Sequence, residues 1–161
     1  MRMADHVYSL RARRSRKALE RMVRGGAGAF GVSLVQFSVQ GNHIHLLVEA
    51  PDQVSLGRAM KGMAVRLARG MNQLMGRTGP VLGDRYHAHR LTTPTEVRHA
   101  IHYIRNNFRK HEAQCGRPLP SRFVDPCSSD GDFAAFVSPP TVWLLCGGLR
   151  GPPPCGVHRR R

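Results

Sequence analysis

Two stretches of this chain alternate apolar and polar residues with the two-residue period of an extended strand. In VSLVQFSVQ (32–40) Val35, Phe37 and Val39 share one face, and in HIHLLVEA (43–50) Ile44, Leu46 and Val48 do the same. Gly41-Asn42 between them is a two-residue hairpin signal, so the two strands are predicted to pair. HVYSLRA (6–12) and VLGDRYHAHRL (81–91) also alternate and predict a first and a fourth strand. Elsewhere the period is helical. Ala18, Leu19, Met22 and Val23 mark a helix within 15–30, with Ser15 as its N-cap and Gly25-Gly26 weakening its far end. Leu56, Met60, Met63, Leu67, Met71 and Leu74 mark a long one over 55–75, its methionines reading as core filler. Thr93-Pro94 opens a third, through TEVRHAIHYIRNNFRKHEAQ, with Pro at the first helical position.

The order strand, helix, strand, strand, helix, strand, helix predicts an α+β fold. It is the ferredoxin-like split βαβ arrangement with an antiparallel sheet, plus an extra C-terminal helix carrying Tyr103. Two helices would cover one face of the sheet and leave the other free for a site. This reading puts the domain at residues 1–114. Residues 115–161 become a Pro/Gly-rich basic tail, partly docked through FAAFVSPPTVWLLC and otherwise disordered.

Charge narrows the partners. The chain has 161 residues and a formal net charge of +15, and all but three of its 25 basic residues are arginine. Such a surface suits a polyanion, because Arg and Lys displace counterions from a phosphate backbone. GC-rich coding would also enrich Arg, Gly, Ala and Pro together. No apolar run is long enough for a membrane span, and the first residues do not read as a signal peptide, so a cytoplasmic protein without a membrane partner is expected. Cys115, Cys127, Cys146 and Cys155 show no Cys-x-x-Cys spacing and are expected to be free thiols.

Candidate chemistry starts at His43 and His45. Strand phase turns both away from the face of Ile44, Leu46 and Val48, and two neutral imidazoles so placed can hold one divalent ion. A solvated or hydrogen-bonded pair has the same spacing, and His87 and His89 repeat it among Asp84, Arg85, Tyr86 and Arg90. The third helix adds Tyr103 and Asn107, four residues apart on one face. Tyr8 and Tyr86 are the other tyrosines, and packing is the simpler role for each.

Taken in order and spacing, GNHIHLLVEA, GDRYHAHRL and YIRNN resemble the single-tyrosine HUH transposases, which include the REP-associated tyrosine transposases. The resemblance spans roughly residues 5–112. It implies that His43 and His45 bind a metal, that Asn107 is a further ligand, and that Tyr103 is the nucleophile. It also implies a strand transferase in which tyrosine attacks a single-stranded DNA phosphodiester, giving a 5′-phosphotyrosine and a free 3′-OH. Single-stranded or hairpin DNA would be the partner, and both monomers and homodimers stay open. Imidazole ligands alone suit zinc or copper, whereas a site with an amide and several waters suits Mg²⁺ or Mn²⁺, the ions the resemblance favours. Arg58, Lys61, Arg66 and Arg69 on the long helix, with Arg85, Arg90, Arg105 and Arg109, are the candidates for phosphate contacts. No general base stands beside Tyr103 in the sequence. Two alternatives remain at this point: a catalytically inactive DNA- or RNA-binding module of the same fold, and a metal-dependent hydrolase in which water is the nucleophile.

Overall fold

The computed structural model describes residues 1–26 and 28–149. The fold is α+β, and among the described residues it has four α-helices and one antiparallel strand pair. Helix α1 (Arg16–Gly26) precedes strands β1 (Ser33–Val39) and β2 (Ile44–Glu49). Helices α2 (Gln53–Met75), α3 (Pro94–Gln114) and α4 (Trp143–Leu149) follow.

Each long helix starts on a side-chain cap. Asp52 accepts from the Ser55 amide at the head of α2. Thr93 and Glu96 form a reciprocal capping box at the head of α3, with Pro94 inside it. Helix α2 stops at Gly76, whose φ of 61° is open to glycine at little cost. Helices α1 and α2 pack closely because small residues meet. A Cβ on Gly70 would stand 2.8 Å from that of Ala18, and Gly26 lies against Met63.

The sheet divides the apolar residues into two groups. Leu34, Phe37, Val39 and Ile44 join Leu19, Met22, Met63, Leu67 and Met71 beneath α1 and α2, where burial of each large side chain stabilises the fold by ~1.5–3 kcal/mol. On the other face, Val35 and Leu47 pack against Val97, Ile101 and Ile104 of α3 and Leu145 of α4. The face expected to stay open is therefore covered by α3. A bulge between Leu34 and Gln36 sets both residues 35 and 36 against that side. Hence Val35 does not share a face with Phe37 and Val39, as simple alternation predicted.

Neither of the other two expected strands forms. Backbone bonds from Val7 to Ala4 and from Ala12 to Ser9 turn residues 4–12 into a coil, with only Leu10 fully buried. Residues 83–90 are exposed throughout and carry no apolar side at alternate positions to bury. Shorter pieces take their places. Arg2 pairs with His43 and Met3 with Leu82, both antiparallel. The spatial order 82, 2–3, β2, β1 is that of the split βαβ unit, its outer members reduced to single bridges.

Chain beyond α3 returns to the sheet. Ser128 bridges Ser38 on the free edge of β1, and Phe133 enters the main core against Phe37, ring centroids 5.7 Å apart. Glu49 of β2 accepts from the Thr141 and Val142 amides just ahead of α4. Cys115, Cys127 and Cys146 are free thiols. Cys155 and the basic C-terminal end, residues 150–161, lie outside the described residues. Among the described residues no helix is long and apolar enough to cross a membrane.

Candidate active site

Strand phase and helix phase meet at His45. On β2, Ile44 turns into the main core, so His45 points the other way, toward α3. On α3, Ile101 and Ile104 anchor the inner face, and Asn107, one turn further, is buried at 4% exposure. The Asn107 amide nitrogen lies 2.8 Å from His45 Nε2, and His43 Nε2 lies 3.0 Å from the same atom. Tyr103, one turn before Asn107, sets its ring edge-on to His45 with centroids 5.0 Å apart, and half of its surface faces solvent. All four residues expected at the site are thus brought together by α3, β2 and the residue just ahead of β2.

Proton accounting in this cluster is informative. His43 Nδ1 donates to Asn42 Oδ1 at 2.8 Å, which leaves Nε2 of a neutral His43 as a lone pair. If the Asn107 amide donates to His45 Nε2, that atom is a lone pair too, and two lone pairs face each other at 3.0 Å. Turning the amide over, an assignment made from hydrogen bonding, brings a third acceptor, Oδ1, to the same point. With the amide turned and His45 as the Nε2–H tautomer, one proton serves the three groups, and the same two imidazole nitrogens and amide oxygen make a donor set that fits a cation. Neighbouring ligands of an octahedral ion bonded at ~2.1 Å stand ~3.0 Å apart, close to the spacing of the two Nε2 atoms. Both imidazoles are held neutral. Burial, reinforced by His43, lowers the pKa of His45 to about 4. Burial, followed by the proximity of His111, lowers that of His43.

Two neighbours escaped the sequence reading. Asn42, counted only as a turn residue, orients His43 through its side chain. His111 continues the row Tyr103, Asn107, His111 along α3 and stands 6.4 Å, centroid to centroid, from His43. The four-residue spacing could have pointed to it.

The other sequence candidates are dispersed. His87 and His89 lie in the exposed 83–90 segment. Among the described residues no three His, Cys, Asp or Glu side chains gather as a metal-ligand group. Tyr8 carries the Arg14 guanidinium 3.6 Å over its ring, and the Tyr86 hydroxyl turns toward Gly57. Arg58, Lys61 and Arg69 are exposed on α2, which packs on the opposite face of the sheet from α3, and Arg66 of the same helix lies over Gly25. Arg85 and Arg90 sit in the exposed connector. Arg105 and Arg109 are on α3, but already engaged. Arg105 pairs with Asp130 at 2.8 Å, and Arg109 donates to the carbonyls of Pro120 and Ser121.

Compared with known protein families, residues 4–107 match the one described as Transposase IS200 like. No curated protein and no solved structure matches the chain significantly.

Proposed function

From the premise that this chain belongs to the IS200-like transposase family, and so to enzymes that bind, cleave and move DNA, we propose a tyrosine strand transferase acting on single-stranded DNA. Its nucleophile is Tyr103. The observation that carries this reading is the packing of the Tyr103 ring on His45, with half of its surface left open to an incoming strand. In the step, Tyr103 Oη forms a bond to phosphorus and the bond from phosphorus to the 3′-oxygen breaks. The phenol proton passes to solvent, and the departing oxygen takes one to become a 3′-OH. The 5′-phosphotyrosine conserves the bond for rejoining to another 3′-OH.

His43, His45 and Asn107 are the residues that would hold Mg²⁺ or Mn²⁺, which when bound would polarise the scissile phosphate and stabilise the charge building on its oxygens. Asn42 fixes the tautomer of His43, and burial keeps His45 neutral, so both present lone pairs at neutral pH. Arg85 and Arg90, in the exposed connector, would meet phosphates of the strand. The exposed basic residues of α2 would serve DNA on the other layer.

The test uses a randomised pool of single-stranded oligonucleotides with Mn²⁺. Wild-type protein is expected to form an SDS-resistant adduct bearing DNA on its 5′ end, and Tyr103→Phe none. Tyr103 is half-exposed, so the substitution leaves the fold intact. An equal adduct in Tyr103→Phe would remove this tyrosine from the mechanism. Free 5′-phosphate products without any adduct would instead indicate hydrolysis by water, and binding without cleavage a non-catalytic module.

A further inference from the structure

One feature of the α3 side takes no part in the steps above. A cleft of about 310 Å³ opens between α3 and the segment that follows it, with Arg105, Asn106, Arg109, Ser121, Phe123 and Asp130 among its walls. That volume is at the small end of ligand-binding clefts. Asn106 is three residues after Tyr103, so the cleft begins one helical turn from the proposed nucleophile.

The chemistry of its walls is directional. The Asp130 carboxylate is taken by the Arg105 fork, at 2.8 and 3.2 Å, and by the Gln36 amide at 3.1 Å. Arg109 spends one nitrogen, Nη2, on two carbonyls. The amide of Asn106 donates to the His102 carbonyl at 2.9 Å. What remains unspent among the described residues is mainly N–H: Nη1 of Arg105, and Nε and Nη1 of Arg109. The same cleft is lined by the ring of Phe123, half-buried and 6.1 Å, centroid to centroid, from Phe108. Guanidinium donors and one flat apolar ring lining a single cleft fit a phosphate joined to a base.

We propose that this cleft holds one nucleotide of the substrate strand, with its phosphate on Arg109 and Arg105 and its base against Phe123. The proposal rests on the reading that the chain handles single-stranded DNA. It gives the segment after α3 a function, as one wall of a nucleotide site beside Tyr103. The site is pre-formed. The Arg11–Asp125 pair and the Ser38–Ser128 bridge fasten that wall to the body of the protein before any strand arrives.

The experiment measures binding by fluorescence anisotropy, with two probes of equal length: an oligothymidylate and an abasic oligomer that keeps sugar and phosphate but lacks bases. Wild type is expected to prefer the oligothymidylate about tenfold, the scale of one base stacked on an aromatic ring. Phe123→Ala should erase that preference and Phe123→Leu reduce it. Arg109→Gln should weaken both probes equally. A preference that survives Phe123→Ala overturns the proposal. Because removing Phe123 could disturb its neighbours, a second measurement uses the unaltered protein. Photo-crosslinking with 5-iododeoxyuridine in the same strand should label the peptide containing Phe123, and labelling confined to other segments is the opposing result. Neither measurement needs cleavage. A protein that forms no tyrosine adduct but keeps the base preference would overturn the catalytic reading and leave the cleft standing.

Discussion

At the residue scale the site turns on Asn107, buried at 4% exposure on α3. A buried amide is ordinarily satisfied by fixed partners, and this one ends on His45 Nε2, which also faces His43 Nε2 at 3.0 Å. The proposed metal ion would sit among these three side chains. Asn107→Leu should therefore weaken Mn²⁺ binding by at least about tenfold, the low end of what losing even a supporting group costs a metal site. Asn107→Asp should tighten it, because a carboxylate adds charge to the set. The electron paramagnetic resonance signal of free Mn²⁺ reads both. An unchanged affinity in Asn107→Leu would leave the two histidines without this third partner. The convergence of His43, His45, Tyr103 and Asn107 was legible in the sequence because Tyr103 and Asn107 share one helix and the histidines lie in and just ahead of one strand, where spacing fixes direction. The partners of Arg105 and Arg109 were not. Asp130 and the carbonyls of residues 120 and 121 come back to α3 through an irregular return that no periodicity encodes.

At the element scale, helix α3 carries half of the site, and its start is set by a small polar cluster. Glu96 accepts from the Thr92 amide, the Thr92 hydroxyl and the Thr93 amide, at 2.6, 3.0 and 3.1 Å. Those bonds hold its carboxyl below the usual carboxylate range. A group with a depressed folded-state pKa stabilises fully above its unfolded value and loses that contribution as pH falls through the folded one. Acidification below the ordinary carboxylate range should thus lower the melting temperature of wild type more than that of Glu96→Gln. At neutral pH, Thr93→Ala removes the other half of the box. It should cost about 1 kcal/mol, or about 2–4 °C in Tm by calorimetry. A Thr93→Ala protein that melts with wild type would show that packing of Val97 and Ile101 suffices to start α3. The capping residues could be read directly, since Thr-Pro-x-Glu before an apolar run has one local meaning. The strands were harder. Alternation in 6–12 and 81–91 matched a strand, but pairing needs a face to bury. Tyr86, His87, Ala88 and His89 offer none, and the chain there stays exposed. The bulge at Val35 was equally hidden, because it is a property of the pairing and not of either strand alone.

For the whole molecule, the question is what keeps α3 pressed to a sheet only two strands wide. Besides its apolar contacts, one residue joins four parts of the chain. The Arg11 guanidinium forks onto Asp125 at 2.7 and 3.0 Å, donates to the Val39 carbonyl at 2.7 Å, and stacks 3.4 Å over the Phe108 ring on α3. Asp125 is 6% exposed and Arg11 18%, so both charges are mostly out of water. Breaking such a pair from one side leaves the other charge stranded, and costs about 3 kcal/mol or more. Asp125→Asn is accordingly expected to lower Tm by roughly 6–12 °C, converting that loss at the scale appropriate to a chain of this length. Adding Arg11→Met should recover part of the loss, because the stranded guanidinium is then gone and its stem still covers Phe108. The recovery is the discriminating result. If the two losses simply add, Arg11 and Asp125 act separately, and the segment after α3 is held by Phe133 and the Ser38–Ser128 bridge instead. If they couple, an arginine near the start of the chain and an aspartate beyond α3 form one clasp. In that case the position of Tyr103 depends on residues that neither the histidine strand nor the tyrosine helix contains.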